Sequence, residues 1–174
     1  MLELIKRSPE YALGYKEYCR ESYDNGVVFF RPANPDLLND DWFSRTEYLY
    51  DLKEKGLLDG HPKGFHYWAV DGGRFIGEFQ LRTEFPEKVM RDIGSIGYAV
   101  RASEWNKGYG TMILRLGLGI AGEHGMEKVL LNINSKNAVS IHICEKLGGR
   151  LWDTIEGYNE AEGRHLINRY WIEL

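Results

Sequence analysis

The chain is poor in cysteine, and it lacks both a long apolar run and an excess of positive charge. Its 174 residues contain two cysteines, Cys19 and Cys144, which form neither a C-x-x-C pair nor a metal-binding spacing. Two cysteines do not make a disulfide framework, so we expect a reducing, cytoplasmic setting. No apolar run approaches the roughly 20 residues of a membrane span, and the first residues lack the apolar segment of a signal peptide.

The charge balance argues against one broad class of function. The formal net charge is −4 and the isoelectric point is near 5.8, whereas a general nucleic-acid binder needs a basic surface. Hydrophobic residues make up 43% of the chain and charged residues 28%, which is typical of a folded globular protein. A length of 174 residues favours a single domain. We therefore expect one globular domain without a nucleic-acid or membrane partner.

The first third of the sequence predicts one strand followed by two helices. Residues 2–7 have the pattern of a short strand, and Ser8 is a candidate N-cap for the first helix. Asn39 or Asp40 is a candidate cap for the second helix, which we expect to run through Leu58. The second helix carries four aromatic side chains that suit either a core or the wall of a pocket: Trp42, Phe43, Tyr48 and Tyr50.

The remaining two thirds alternate strands with helices. The predicted strands are 65–70, 74–85, 93–100, 129–133, 151–155 and 166–173. The predicted helices are 109–124 and 137–148. Asp71-Gly72-Gly73 has the chemistry of a hairpin turn, and the mostly apolar strand 129–133 is typical of a buried parallel pair. This order predicts a mixed α/β fold with a twisted sheet of about six or seven strands and about four helices.

The strand predicted at 93–100 leads into a glycine-rich turn. Its odd positions are small from Ser95 onward, so one of its faces lets a ligand approach the backbone closely. Gly108 and Gly110 then open a helix, whose first backbone N–H groups are free and carry a partial positive charge. Lys107 adds a full charge, and together these features make a cradle for a phosphate. A tight turn that binds nothing is the alternative interpretation of the two glycines.

The wider pattern resembles the GNAT superfamily of N-acetyltransferases. The stretch 105–110 reads WNKGYG, which is similar to the family motif Arg/Gln-x-x-Gly-x-Gly/Ala at a helix start, except that Trp105 occupies the first position. A second family block appears about 25 residues later, as NAVS at 137–140 and EKLGG at 145–149. The resemblance covers residues 65–174, whereas residues 1–64 match in outline as the variable helices beside the acceptor site.

The resemblance implies one acetyltransferase domain with a GNAT-like, splayed sheet that binds acetyl-CoA and needs no metal. It implies transfer of the acetyl group to a primary amine of a small molecule or peptide, with a homodimer as a family-level expectation. A binding module for acetyl-CoA or CoA without turnover is the alternative. The residues that it implies for the cofactor are Tyr98, Ala99, Val100, Asn106, Lys107, Gly108, Tyr109, Gly110, Thr111, Asn137 and Ser140.

Amine acetylation is helped by a base, because an amine with a pKa near 10.4 is almost fully protonated at neutral pH. Some family members carry a glutamate on the strand before the glycine turn, where this chain has Gly94 and Ser95. Glu78 on the preceding strand is our candidate base, followed by Glu84 and Asp92. The alternative for each is a solvated surface carboxylate.

The candidate acid is also unusual. Many family members place a tyrosine four residues after the serine of the second block, and this chain has Cys144 there. Its thiol is either a proton donor or a small core residue, and the second role is favoured. Tyr98 is a possible substitute. Departure of the CoA thiolate without a dedicated acid is a further alternative.

Three further patterns are not expected to carry function. Residues 117–122 spell G-x-G-x-x-G, but they lie inside a predicted helix, so tight helix packing explains them better than a dinucleotide site. Residues 93–97 fall one residue short of a G-x-S-x-G nucleophile turn. His61 and His66 lack metal-binding spacing on a helix.

Overall fold

The computed structural model describes residues 1–27, 29–30, 32–39, 41–160 and 163–174. The strands are β1 (Glu3–Lys6), β2 (Gly64–Asp71), β3 (Arg74–Arg82), β4 (Ile96–Val100), β5 (Lys128–Asn134), β6 (Arg150–Asn159) and β7 (Gly163–Glu173). The helices are α1 (Ala12–Asp24), α2 (Trp42–Glu54), α3 (Tyr109–Glu123) and α4 (Ala138–Lys146). Short helical turns lie at Pro9–Tyr11, Pro35–Leu37, Val89–Ile93 and Ala102–Glu104. Among these helices, none is long and apolar enough to cross a membrane.

The strands form two antiparallel sheets. One has the order β1-β2-β3-β4 and the other has the order β5-β7-β6. The hairpin predicted between β2 and β3 is confirmed. Gly72 and Gly73 have φ of 56° and 76°, the two positive values that a type I′ turn requires. The mixed α/β class with about six or seven strands is confirmed as well.

Backbone hydrogen bonds join the two sheets at Ser95 and Leu130. The Ser95 backbone N–H donates to the Leu130 carbonyl at 2.7 Å, and the Leu130 N–H donates to Ser95 Oγ at 2.6 Å. A methyl group at Gly94 would lie 2.7 Å from the same carbonyl, so only glycine allows this approach. The parallel pair predicted for 129–133 was wrong, because the ladder that β5 forms in the described chain is antiparallel with β7. Beyond Ser95, β4 and β5 belong to different sheets and form no ladder in the described chain, and we call the gap between these two strands the cleft.

Helices cover both faces of the first sheet. Helix α3 packs through Gly117, where a methyl group would lie 2.1 Å from the Phe79 ring of β3. Helix α1 packs on the other face, where Tyr15 stacks on Trp68 with ring centroids 5.1 Å apart. Phe75 joins this second face because a bulge at Ala69/Val70 shifts the alternation of β3. The α1 and α2 side and the α3 side of the sheet therefore have separate apolar clusters.

Several predicted boundaries were wrong. Helix α2 ends at Glu54 rather than Leu58, with Gly56 at φ 69° directly after its cap. Ser8 does occupy the predicted N-cap position, before the 3₁₀ turn that leads into α1, although its side chain makes no capping bond. Asp41 occupies the N-cap position of α2 without a capping side-chain bond, whereas the candidate Asp40 lies outside the described residues. The strand predicted from Ile93 begins at Ile96, because Ile93 ends a five-residue π-helical turn that starts at Val89. A segment so short has no detectable helical period.

Candidate functional site

A run of unpaired backbone amides lies at the start of α3. Gly108 is the N-cap with φ 82°, and Asn106 also has a positive φ of 61°. Within the described chain, none of the N–H groups from Asn106 to Thr111 donates to another backbone group; the first that does is that of Met112, to the Gly108 carbonyl at 3.2 Å. Six adjacent donors at a helix N-terminus form a strong anion site. The turn predicted as a phosphate cradle therefore presents six consecutive backbone donors, and phosphate binding there stays a prediction.

Side chains around this turn are held by neighbours. Lys107 Nζ lies 3.0 Å from Glu104 Oε2 and donates to the Ser103 carbonyl, so its charge is partly compensated. The Lys107 hydrogen bond is the largest reason that the pKa of Glu104 is lowered. Trp105 Nε1 donates to the Val100 carbonyl at 2.8 Å. Trp105 thus ties the turn to the end of β4, and the backbone amides supply most of the positive potential of the cradle.

Both strands that border the cleft have backbone groups directed into it. The Arg82 N–H donates to the Ser95 carbonyl, and the Arg101 N–H donates to the Ile76 carbonyl. These two bonds show that the backbone N–H and C=O groups of the odd-numbered residues of β4 point toward β3. Because antiparallel strands alternate, the backbone groups of Tyr98 and Val100 point toward the cleft. The same alternation in β5, set by Ser135 N to Leu166 O, turns its even residues toward the cleft. An extended amide-containing ligand has donors and acceptors available here.

The predicted residues of α4 meet β4 across this cleft. Tyr98 Oη and Ser140 Oγ are 3.2 Å apart, and burial raises the pKa of Tyr98 to about 12. Asn137 Oδ1 accepts the Ser140 backbone N–H at 3.1 Å, which makes Asn137 the N-cap of α4. The capping interpretation of Asn137 is therefore observed. The structure brings Tyr98, Asn137 and Ser140 together beside the open backbone of β4.

A separate cavity of about 570 Å³ lies on the opposite face of the first sheet. That volume is within the range of small-molecule sites. Its wall consists of Tyr15, Phe29, Phe30, Pro32, Ala33, Trp42, Thr46, Tyr50, Glu78, Gln80, Arg82 and Ile93. The four aromatic residues predicted on the second helix were expected to belong either to the core or to the wall of a pocket, and the structure shows both roles. Trp42 and Tyr50 line the cavity, Phe43 packs against the apolar cluster, and Tyr48 is 65% exposed.

Glu78 is the acidic residue in the wall of this cavity. It is 1% exposed, and its carboxylate accepts from Tyr18 Oη at 2.9 Å and lies 2.6 Å from His66 Nε2. Across the β3–β4 ladder it pairs with Ala99, at the middle of the strand that borders the cleft. Glu78 is therefore buried in the cavity wall, one strand away from the cleft, and the surface-carboxylate alternative does not describe it.

The two other candidate bases lie outside the cavity wall. Glu84 is exposed and accepts the Lys63 backbone N–H at 3.0 Å. Asp92 is exposed and lies 3.8 Å from Arg91. Neither carboxylate faces the cavity that Glu78 lines.

Three tyrosines surround the Glu78 carboxylate as neutral groups. Burial first, and then the negative charge of Glu78, raise the pKa values of Tyr15 and Tyr18 well above the usual range. The same two causes raise the pKa of Tyr50 to about 12. At neutral pH these hydroxyls are protonated; that of Tyr18 donates to the Glu78 carboxylate, and Tyr15 and Tyr50 line the cavity as neutral phenols.

Cys144 has the position of a core residue. Its side chain is 0% exposed, it belongs to the cluster between the sheets and α3, and burial raises the pKa of its thiol to about 12. A methyl group at Gly149 would lie 2.4 Å from Cys144 Sγ. Of its two predicted roles, this packing favours the core.

The three patterns set aside in the sequence have structural roles. Gly117 packs on Phe79, whereas Gly119 and Gly122 face open space, so tight packing explains only the first of these glycines. Ser95 joins the two sheets. His66 is buried against Glu78, and in the described part of the chain no group of three or more acidic, histidine or cysteine side chains is placed to hold a metal.

Sequence reasoning missed Tyr18, His66 and Arg82. Their contacts join α1, β2 and β3, which are far apart along the chain, so no local motif reports them. One signal was present: Glu78, Gln80 and Arg82 are polar at every second position of an otherwise apolar strand. Three polar side chains on one face of a central strand indicate a polar cavity.

Comparisons with known proteins agree with this architecture. A family model described as an acetyltransferase (GNAT) domain matches residues 19–150. This chain therefore belongs to the GNAT acetyltransferase family, and the predicted family is confirmed.

Solved structures show the same fold at low sequence identity. The microcin C7 self-immunity acetyltransferase MccE, in complex with acetyl-CoA and AMP, has a TM-score of 0.76 and 15% identity, covering 99% of this chain and 92% of that one. Mycobacterium smegmatis RimJ with a CoA disulfide has a TM-score of 0.77 and 15% identity over 99% and 81%. RimL, a ribosomal L7/L12 α-N-protein acetyltransferase in complex with CoA, has a TM-score of 0.74 and 13% identity over 99% and 94%.

Proposed function

We propose that this protein transfers an acetyl group from acetyl-CoA to a primary amine. The observation that carries the proposal is the relation of two sites across one strand. Six unpaired amides and an open cleft lie along β4, and the buried carboxylate of Glu78 lies beside the same strand, in the wall of a cavity. Membership of the GNAT family and the acetyl-CoA and CoA complexes of MccE and RimL support the same donor.

The residues of the cleft fit this donor group by group. The amides from Asn106 to Thr111 suit its pyrophosphate, and the inward-facing backbone of Tyr98 and Val100 suits its pantetheine amides. Asn137 and Ser140 line the far side. When bound, acetyl-CoA supplies the acetyl group as a thioester. The backbone N–H of Val100 is a donor that polarises a carbonyl placed beside β4.

Glu78 accepts the proton that the amine loses. An amine with a pKa near 10.4 becomes far more acidic as its nitrogen bonds to a carbonyl carbon, so a carboxylate is a sufficient base at that stage. Hydrogen bonds from Tyr18 and His66 hold the Glu78 carboxylate in one orientation. His66 is a positioning residue because it acts through Glu78.

Tyr98 donates a hydrogen bond to the departing sulfur. A full proton transfer from a phenol with a pKa of about 12 to a thiolate with a conjugate pKa near 8.5 is uphill by about 5 kcal/mol. Donation without transfer has no such cost, and it stabilises negative charge on sulfur. Cys144 has no part in this step because its thiol is buried in the core.

Thermal unfolding with acetyl-CoA, CoA, NAD and ATP tests the donor. A ligand at 100 times its Kd adds about 2.7 kcal/mol, which corresponds to a rise in Tm of roughly 5–11 °C for a domain of this size. We expect this shift with acetyl-CoA and CoA alone, and release of free thiol when a panel of amines is added. The absence of a shift with either CoA species would overturn the proposal. A shift without turnover of any amine would support the non-catalytic binding module instead.

A further inference from the structure

The cavity contains a cation without an acidic partner. Arg82 Nη2 donates to Gln80 Oε1 at 2.9 Å, and Nη1 lies 3.5 Å from the Gly94 carbonyl. Both partners are neutral. No carboxylate forms an ion pair with Arg82 within the ranges that the structure describes. Its guanidinium therefore brings a net positive charge to the cavity wall.

Other well-buried arginines of this protein are neutralised. Arg7 lies 3.0 Å from Glu47, Arg101 pairs with Glu21, and Arg169 pairs with Asp153. Removing a charge from water is costly unless a counter-charge replaces the lost solvation. Arg82 differs from these three because no counter-charge pairs with it among the described residues.

A second cation stands behind Arg82. The Cε atom of Lys53 and the Cγ atom of Arg82 lie 3.4 Å and 3.5 Å from the same point, the position of a methyl group at Gly64. Burial lowers the pKa of Lys53 to about 8, with the charge of Arg82 as the second cause. Burial also lowers the pKa of Arg82 to about 10. Arg82 lines the cavity and Lys53 lies next to Arg82, and two neighbouring cations favour an anion at the one that the cavity exposes.

We propose that the acceptor carries an anionic group, a carboxylate or a phosphate, which binds Arg82 while its amine faces Glu78. This inference rests on the proposed function, because it assigns the acceptor of the same site. Arg82 supplies a planar fork of N–H donors that matches either anion, and Lys53 adds to the local positive potential. The acceptor is then a molecule with opposite charges at its two ends.

The spacing of the two ends restricts the acceptor to a compact molecule. Arg82 Nη1 lies 3.8 Å from the position of a methyl group at Gly97, so the guanidinium leans over Gly97. Gly97 precedes Ala99, the partner of Glu78, by two residues, which is about 6.6 Å along a strand. An amino acid or a phosphorylated small amine spans this distance.

The rest of the wall suits an apolar or planar middle section. Tyr15 and Trp42 both line the cavity and stack with ring centroids 5.0 Å apart. Phe30 extends to within 3.0 Å of the methyl position at Gly97, beside the Arg82 fork. Aromatic faces next to a cation and a carboxylate favour a small amphipathic zwitterion over a long polar chain.

Matched acceptor pairs test the anion subsite. Phenylalanine is compared with phenylalaninamide, and O-phosphoethanolamine with ethanolamine, so that each pair differs in the anion. Steady-state kcat/KM is measured for the wild type, Arg82→Met, Arg82→Lys and Arg115→Met; the last removes one positive charge from an exposed position of α3. For each enzyme, kcat/KM for the anionic acceptor is divided by kcat/KM for its neutral partner. Comparing this quotient between a variant and the wild type cancels the intrinsic reactivity of each amine.

We expect Arg82→Met to lower kcat/KM for the anionic member about 10- to 100-fold more than for its neutral partner. Arg82→Lys retains part of the preference, and Arg115→Met retains all of it. The pair with the larger ratio distinguishes a carboxylate from a phosphate. Equal losses on both members of both pairs, or a wild-type enzyme that acetylates neutral members equally well, would overturn the inference while leaving the acetyltransferase proposal intact.

Direct binding separates the two proposals if no amine is acetylated. Calorimetric titration of the acetyl-CoA-loaded protein with phenylalanine and with O-phosphoethanolamine measures the subsite without turnover. Binding that weakens at least 10-fold in Arg82→Met, but not in Arg115→Met, supports the anion subsite even if the transfer reaction fails. No measurable binding of either anion to a folded protein that binds acetyl-CoA contradicts it. Equal melting temperatures of the variants are the control for folding.

Discussion

The two sides of the first sheet are built from different materials. The cleft side uses backbone groups of segments close together in sequence, from β4 through the turn at Asn106 to α3. The cavity side uses side chains from α1, residues 29–30 and 32–33, α2 and β3. A backbone site tolerates many sequences as long as its glycines persist, whereas a side-chain site changes with each substitution. This difference suits a protein that keeps one donor and adapts to its own acceptor.

The largest effect on activity is expected from a substitution on the cavity side. Glu78→Gln removes the proton acceptor but keeps the size of the side chain, so we expect kcat/KM to fall about 10²- to 10⁴-fold. The affinity for acetyl-CoA should stay unchanged because the amides from Asn106 to Thr111 are untouched. Initial rates over a range of pH and a titration with acetyl-CoA measure the two quantities.

Glu84→Gln is the matched control for that substitution. Glu84 lies beyond the end of β3 and is exposed, so its loss of charge should leave the rate within a factor of about 2. If Glu78→Gln kept the wild-type kcat/KM and pH profile, Glu78 would not be the base. If it weakened acetyl-CoA binding as strongly as turnover, the two sides would not be independent.

The next effect lies at the border between the two sides. Tyr98→Phe removes the donor proposed for the departing sulfur, so we expect kcat to fall about 10- to 100-fold, as for a hydrogen bond to a charged atom. Cys144→Ala tests the other predicted acid. It should lower stability through a small core cavity and change kcat less than about 3-fold. Single-turnover rates and melting curves measure both, and the opposite order of kcat losses would return the acid role to Cys144.

The same difference in material explains what the sequence could predict. The strand, the glycine turn, α3 and the Asn137 cap each have strong local signals, so these elements were predicted from the sequence. Their role in binding a cofactor stays a prediction. Glu78 was predicted as the base, but its partners Tyr18 and His66 were not, because their contacts depend on how α1 and β2 fold onto β3. Two errors have a local cause. The second helix was predicted to continue through 55–58, and the turn at Val89–Ile93 was not predicted, because glycine and short irregular turns override weak periodic patterns.

A glycine pair isolates the cleft side. Gly108 and Gly125 have φ of 82° and 75°, and a methyl group at either would meet nothing within 4 Å. Valine at either position costs roughly 1–2 kcal/mol of backbone strain, so both variants should melt at similarly reduced temperatures. Gly108→Val should also weaken acetyl-CoA binding about 10-fold, because it displaces the amide cradle. Calorimetry measures this, and equal affinities in the two variants would contradict the cradle.

The smallest effect concerns the pH dependence of stability on the cavity side. Burial and the charge of Arg82 lower the pKa of Lys53 from 10.5 in the unfolded chain to about 8. Between about pH 8 and pH 10.5 the unfolded state binds more protons than the folded state, so this group makes stability rise with pH in that window. Below about pH 8 both states are protonated at Lys53, and the full penalty for the buried charge applies.

Lys53→Met removes that penalty and should therefore raise Tm at pH 7 by a few degrees, roughly 2–6 °C. The gain should shrink as the pH rises from 8 to 9.5, because wild-type Lys53 then loses its proton in the folded state. Lys55→Met on the same helix is the control, since Lys55 is exposed and pairs with Asp51 at 2.6 Å. Melting curves at pH 7, 8, 9 and 9.5 measure the trend. A gain that is independent of pH would mean that added apolar packing stabilises Lys53→Met. The charge of Lys53 would then carry no penalty in the folded protein.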